Sequence, residues 1–181
     1  MSTRFINSLI ATALLLAAVS PALAQQTPWP QAQPEDVSTA PAVVKASYAA
    51  ISSPAGQPIN LDRFRSLFSP DAQLISIKLH GNQADARRMT VNEFVEVVKQ
   101  SIGRDGHTER EIAERIESYG NMATVWSTYE SGKTRNDPHA VRGVNSIQLM
   151  NDGKRWWITG AQWEHETPET PIPEKYLSGG Q

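Results

Sequence analysis

The stretch RGVNSIQLMNDGKRWWITGAQWE, Arg142 to Glu164, holds the reading on which the fold turns. Two β-prone runs flank Asp152-Gly153, the pattern of a hairpin closed by a tight turn. Side chains alternate between the two faces of a strand. Trp156 and Trp157 are neighbours, so they point to opposite faces. Strict alternation then groups Ile158 with Trp156, and Trp163 with Trp157. Both faces of the hairpin carry aromatic bulk, and each needs something to cover it.

Working outward, HTEREIAERIESYG and NMATVWSTYES precede this hairpin and read as two further strands. Tyr119-Gly120-Asn121 is a tight turn between them, and GKTRNDPHAV is a longer loop leading into the hairpin. The first of these strands also has a helical reading, because EREIAERIES is rich in helix formers. Strand is preferred because the segment runs directly into a hairpin turn. Register across the long loop is left open, so the sequence does not assign either tryptophan to the core.

The first half of the chain has the helical period. Val44, Tyr48 and Ile51 recur at helical spacing in Pro41 to Ile51, with Thr39 as a cap. Leu61, Phe64, Leu67 and Phe68 share one face of a helix from Asn60 to Phe68, which Ser69-Pro70 should end. AQLISIKLH alternates as a strand and runs into a turn at His80-Gly81-Asn82. TVNEFVEVVKQSIG is the clearest helix: Thr90 and Glu93 form a capping box. Val91, Phe94, Val95, Val98 and Ile102 make its buried stripe, and Gly103 stops it. Helices followed by an antiparallel meander imply an α+β layer architecture, with helices on one face of a curved sheet.

The ends read differently. Residues 1–24 carry Arg4, the apolar run LIATALLLAAV and Ala22-Leu23-Ala24, the three zones of a secretory signal peptide. The apolar run is shorter than the roughly 20 residues that span a bilayer. The expected product is exported, periplasmic or secreted, with no membrane span after cleavage. Residues 25–40, with Pro28, Pro30 and Pro34, read as an extended linker; Trp29 could dock onto the domain, but a loosely held tail is preferred. The folded domain is expected at 41–166, and the Pro-rich residues 167–181 as a tail running over the surface.

The chain has 181 residues, no cysteine and a formal charge of −2, which loss of Arg4 would take to −3. No cysteine means no disulfide and no thiol chemistry. A mildly acidic, unpatterned chain offers no electrostatic case for nucleic acid or an anionic membrane.

The opening helix with Tyr48, LFSPDAQLI, VNEFVEVVKQSI, GNMATVWSTYE and DGKRWWI together resemble the nuclear transport factor 2-like superfamily, in its SnoaL-like branch. The resemblance covers roughly Pro41 to Glu166. It implies a cone, a bent sheet wrapped around about three helices with a pocket at the wide end. Many members dimerise through the outer sheet face. The resemblance also implies a choice of roles, from ligand or protein binding to isomerase, dehydratase, hydrolase and cyclase chemistry. The enzymes use an Asp, alone or with His, Tyr or Arg, inside an apolar pocket, where burial raises the carboxyl pKa. No position here matches those Asp or Asp/His sites.

On strand segments the ionisable candidates are Glu114, Glu130, Arg142 and Glu164. Glu114 lies two residues from both Ile112 and Ile116. It should share their face, which makes it the candidate acid or base. Glu130 and Arg142 flank the long loop and could pair across it, or form a polar pocket rim with Arg142 touching ligand. Tyr129, Asn145, Gln148 and Trp163 are the other candidate ligand-binding groups, because pockets combine aromatic walls with a few polar groups. His80, His107, His139 and His165 are scattered, with no metal-ligand spacing. GKT at Gly132 fails as a phosphate loop, since Ser127 stands where its first glycine belongs. No cofactor motif is found. The expected function is an exported small-ligand-binding or accessory domain, a homodimer with a hydrophobic pocket. The alternative is a lyase or isomerase acting on a small hydrophobic carbonyl or polycyclic compound by general acid-base catalysis. A third reading is an interaction module that uses the outer sheet face.

Overall fold

The structure, a computed structural model, describes residues 28–81, 83–101 and 106–178. The signal segment, the start of the linker, Asn82, Ile102 and Gly103 lie outside the described residues. Three α-helices and six strands follow in the order α1 (Ala40–Ile51), α2 (Leu61–Ser66), β1 (Phe68–His80), β2 (Gln83–Thr90), α3 (Val91–Ser101), β3 (Thr108–Tyr119), β4 (Met122–Gly132), β5 (Val141–Asn151) and β6 (Trp156–His165). The single sheet has the order β2-β1-β6-β5-β4-β3. Neighbours in the β3 to β6 meander are antiparallel, as the turns predicted. The β1–β6 pair is parallel, so the sheet is mixed rather than wholly antiparallel. Among the described residues no helix is long and apolar enough to cross a membrane.

The helices form where the sequence places caps. Thr39 Oγ1 accepts from the Ala42 amide at 3.1 Å and opens α1, whose Val43, Val44, Tyr48 and Ile51 are buried. Asn60 Oδ1 accepts from the Arg63 amide at 3.0 Å and opens α2. The Thr90–Glu93 capping box closes reciprocally, with amide contacts of 2.7 and 3.2 Å. Helix α2 ends earlier than expected. Phe68 already belongs to β1, and Ser69 and Pro70 lie inside that strand. The β1–β6 ladder breaks between Phe68 and Gln73. A proline without an amide proton is tolerated at such an irregularity. Strand β2 was not legible in sequence. It is exposed throughout except for Met89 and pairs only with β1. Its Asp85, Arg87 and Arg88 suit a sheet edge, where charge discourages further pairing.

Two bulges reset the alternation read from sequence. In β6, Leu149 pairs with Ile158 and Gln148 with Gly160, which leaves Thr159 as an extra residue. Beyond it, Ala161, Trp163 and His165 oppose Ile147, Asn145 and Gly143 and take the concave face. Trp163 therefore joins Trp156 against the core, not Trp157 as strict alternation predicted. In β3, Glu111 pairs with Tyr129 and Ala113 with Thr128, so Ile112 is the extra residue. Glu114 then shares its face with Ile116 and Glu111, whose partners Ser127 and Tyr129 are two residues apart on one face of β4.

The linker reading is overturned for residues 28–40. Trp29 Nε1 donates to the Phe68 carbonyl at 3.0 Å, and the Arg65 guanidinium lies 5.0 Å over its ring. Pro34–Val37 forms a 3-10 turn, and Val37 is buried in the core. Buried Asp36 accepts two bonds from Arg63, at 2.8 and 2.7 Å, which hold its carboxyl below the usual range. An indole and a paired carboxylate give this segment enough interaction energy to offset its ordering entropy. The C-terminal segment lies against the outer face of the sheet. Ile172 is buried there, Thr128 Oγ1 donates to the Tyr176 carbonyl, and the Trp126 and Tyr176 rings lie 5.1 Å apart.

Candidate functional site

A cavity of about 470 Å³ opens between the concave face of the sheet and helices α1 to α3. Its apolar wall is built from both halves of the chain. Phe94 of α3 stacks on Phe64 at 5.4 Å and meets the edge of Trp163 at 5.7 Å. Ile51, Leu74, Ile147 and Ile158 complete the wall. The volume lies within the range of small-molecule sites, and such sites combine apolar walls with a few placed polar groups.

Those polar groups form two clusters. In the first, the Tyr48 hydroxyl is 2.7 Å from Ser127 Oγ, and Asn145 Nδ2 donates to it at 2.8 Å. Ser127 in turn donates to a carboxylate oxygen of Glu111. Ser127 is fully buried. Burial pushes the Glu111 carboxyl up to about 7, against the pull of the Ser127 bond and with a further push from neighbouring Glu114. Tyr48 is also raised, chiefly by burial, so its hydroxyl keeps its proton. Tyr48 and Asn145 line the cavity, while Glu111 stands behind Ser127 and does not.

The second cluster gathers Tyr129, His165, His107 and Glu109. Tyr129 OH is 2.9 Å from His165 Nδ1, and both residues line the cavity. Burial lowers the His165 pKa, and Lys78 adds to this while Glu109 opposes it. The imidazole is therefore neutral near pH 7. His107 Nε2 lies 3.5 Å from Glu109 Oε2. The loop after α1 holds this pair in place. Ser53 and His107 exchange backbone bonds of 2.7 and 2.9 Å, and the Glu109 amide donates to Ser52 Oγ at 2.9 Å. Gly143 opposes both Tyr129 and His165. A Cβ there would run into the Tyr129 hydroxyl and the Glu164 carbonyl, so glycine is what lets the hydroxyl cross to the imidazole.

The sequence candidates divide accordingly. Tyr129, Asn145 and Trp163 line the cavity. Gln148 does not: it faces out from β5 and accepts from Thr124 Oγ1 at 3.0 Å. Arg142 is exposed on the same outer side and pairs with Glu166 at 2.8 Å. Arg142 and Glu130 are directly opposed in the ladder, yet Glu130 pairs with Arg110 instead, also at 2.8 Å. Each thus finds its partner elsewhere. Glu164 lies on the outer face, beside Ile77 and Val144. Glu114 is half-buried on the inner face, with one carboxylate oxygen buried and unbonded. It stands beside Glu111 on the same face of β3 and does not line the cavity. Sequence reading missed Glu111, Tyr48, His107, Glu109, Lys78 and His165 as site groups. Only Tyr48 carried a signal, its place on the apolar stripe of the first helix. Among the described residues no group of three or more His, Asp or Glu could hold a metal ion.

No protein-family model matches the chain, and no curated protein matches it by sequence. Solved structures do match in fold. An uncharacterized protein with a cystatin-like fold from Caulobacter vibrioides is 13% identical, with a TM-score of 0.53 over 71% of this chain and 88% of that one. A protein of unknown function with a cystatin-like fold from Nostoc punctiforme is also 13% identical, with a TM-score of 0.52 over 75% and 98% of the two chains. An NTF-2-like protein of unknown function from Silicibacter pomeroyi is 12% identical, with a TM-score of 0.46 over 70% and 92%. At these identities the likeness speaks of fold alone. The fold is the α+β cone that the resemblance to nuclear transport factor 2-like proteins implied.

Proposed function

We propose that this chain binds a small, largely apolar molecule carrying a hydroxyl or carbonyl oxygen, as a member of the SnoaL-like branch. The observation that supports this reading is the cavity of about 470 Å³, whose aromatic wall of Phe64, Phe94 and Trp163 faces the Tyr48 hydroxyl and Asn145. The apolar body of a ligand would displace water from the wall, at about 25 cal/mol per Å² of apolar surface buried. Its oxygen would meet Tyr48. The zones of residues 1–24 support placing this role in an exported protein. Binding of a naphthol, followed by tryptophan fluorescence and calorimetry, tests the reading. The expected result is saturable binding that Ile147→Trp, which fills the cavity, removes. Equal binding by the filled variant would sink it.

A second reading, turnover by a lyase or isomerase through general acid-base catalysis, is favoured by one observation. Beside the cavity the half-buried Glu111 carboxyl is pushed up to about 7, and on its lining His165, its pKa lowered by burial, stands 2.9 Å from the Tyr129 hydroxyl. In that reading His165, which reaches the cavity, is the acid or base, and Glu111 acts through Ser127 and Tyr48. Glu114 affects the reaction only through the charge it places beside Glu111.

A further inference from the structure

Resting on the ligand-binding reading of the cavity, we propose that Glu111, Ser127 and Tyr48 form a reversible hydrogen-bond relay. It turns Tyr48 from an acceptor into a donor toward the bound molecule, and the proton on Glu111 sets its direction. The argument is a count of protons and lone pairs. A serine hydroxyl has one proton to give and two lone pairs, and so does a tyrosine hydroxyl for this purpose. When Glu111 is ionised it can only accept. Ser127 then spends its proton on Glu111, and the 2.7 Å contact with Tyr48 must be made by the Tyr48 proton. Asn145 already donates to Tyr48. The phenol is left with one free lone pair and no free proton, so it receives a hydroxyl ligand and repels a carbonyl.

When Glu111 is protonated every bond in the chain reverses. The carboxyl donates to Ser127 Oγ, Ser127 donates to Tyr48, and both Tyr48 lone pairs are filled by Ser127 and Asn145. The Tyr48 proton is then free to enter the cavity, where it favours a carbonyl over a hydroxyl that needs an acceptor. One proton is bound at Glu111, while Ser127 and Tyr48 each keep their own proton and only turn their hydroxyls about the C–O bond. Because Glu111 stands behind Ser127 and outside the cavity lining, the ligand need not touch the group that sets the preference.

The surroundings allow Glu111 to change state near neutral pH. On β3 the same face carries Glu109 and Glu114, and the Glu114 charge opposes ionisation of Glu111. From β4 the facing groups are Ser127 and Tyr129, and from α1 Tyr48. Tyr48 and Tyr129 are both raised by burial and stay neutral. The 3-10 turn Glu174–Tyr176 packs against the opposite face of β3 and β4, with Lys175 over the Tyr176 ring at 4.8 Å. Arg110 is taken by Glu130. Among the described residues no cation is hydrogen-bonded to Glu111.

The test has a ligand-free arm and a ligand arm, both on the full chain. Carbon NMR of the tyrosine Cζ and glutamate carboxyl resonances is followed from about pH 5.5 to about pH 8.5, with Tyr48→Phe and Glu111→Gln providing the assignments. The Tyr48 resonance is expected to move with the midpoint of Glu111, and to stay still in Glu111→Gln. A Tyr48 resonance that is flat while Glu111 titrates, or a Glu111 that keeps one charge state throughout, overturns the relay. In the second arm, dissociation constants are measured for a naphthol and for acetylnaphthalene. Raising the pH across the range should shift their ratio about tenfold toward the naphthol, the worth of one hydrogen bond changing sign. Glu111→Gln should hold the ratio constant. A constant ratio in the unmodified chain, with both probes bound, overturns the relay. Failure of both probes to bind, with Tyr48 still tracking Glu111, would sustain the relay and remove the ligand-binding reading instead.

Discussion

Glu111 is a carboxylate that the fold keeps protonated well above the pH at which an open chain would release that proton. Its pKa rises with folding from 4.5 to about 7, chiefly through burial. Between these values the native state binds more protons than the unfolded state, so stability falls as pH rises. The contribution is complete below the unfolded value and is lost as pH passes through about 7. After allowance for solvent screening it is on the order of 2 kcal/mol. Urea midpoints measured across this window should therefore decline with pH in the unmodified chain and decline less in Glu111→Gln. Equal slopes would show that Glu111 is not the group responsible. Gly143 gives a second expectation at this scale. Gly143→Ala puts a methyl where the Tyr129 hydroxyl crosses to His165, so it should cost about 1–3 kcal/mol and loosen the imidazole. A lower thermal midpoint together with a raised His165 titration midpoint, read by proton NMR, is the expected outcome.

Among the elements, the bulges matter most for the site. Without Thr159 as an extra residue, Trp163 and His165 would face outward with Trp157. Without Ile112, Glu111 and Glu114 would fall on opposite faces of β3. Turn residues, β-prone runs and the capping box read the hairpin, the meander and the start of α3 correctly because those signals are local. They did not place the bulges, since a bulge is chosen by how two strands and the helices beneath them fit. Edge strand β2 escaped for a related reason: it has no buried face to impose a period, and only pairing with β1 makes it a strand. The capping box provides the test at this scale. Thr90→Ala removes the side chain that accepts from the Glu93 amide and should lower stability by about 1 kcal/mol. The urea midpoint should fall with an unchanged slope.

For the molecule as a whole, the outer sheet face is divided in two. The C-terminal segment takes one part, through Ile172, Tyr176 and the Trp126 ring. At the hairpin end, Tyr119, Met122, Met150 and Trp157 are ladder partners in a row across four strands, and the first three are exposed. An uncovered apolar row of this kind suits an interface. We expect a homodimer through it, with about twice the chain mass by light scattering at micromolar concentration. Met122→Lys with Met150→Lys should return the monomer, and a monomer at every concentration in the unmodified chain would contradict the expectation. The amino-acid sequence by itself determined the helix caps, the tight turns and the α+β order, because each depends on residues a few positions apart. It also supplied the cavity-lining Tyr129, Asn145 and Trp163 as candidates. Only the tertiary structure decided which faces those side chains take, that Trp29 docks on Phe68, that Gln148 and Arg142 point outward, and that Glu111 meets Ser127 and Tyr48. These outcomes depend on bulges, on one parallel pairing and on burial, which arise from contacts between segments far apart in the chain and leave no period in the sequence to read.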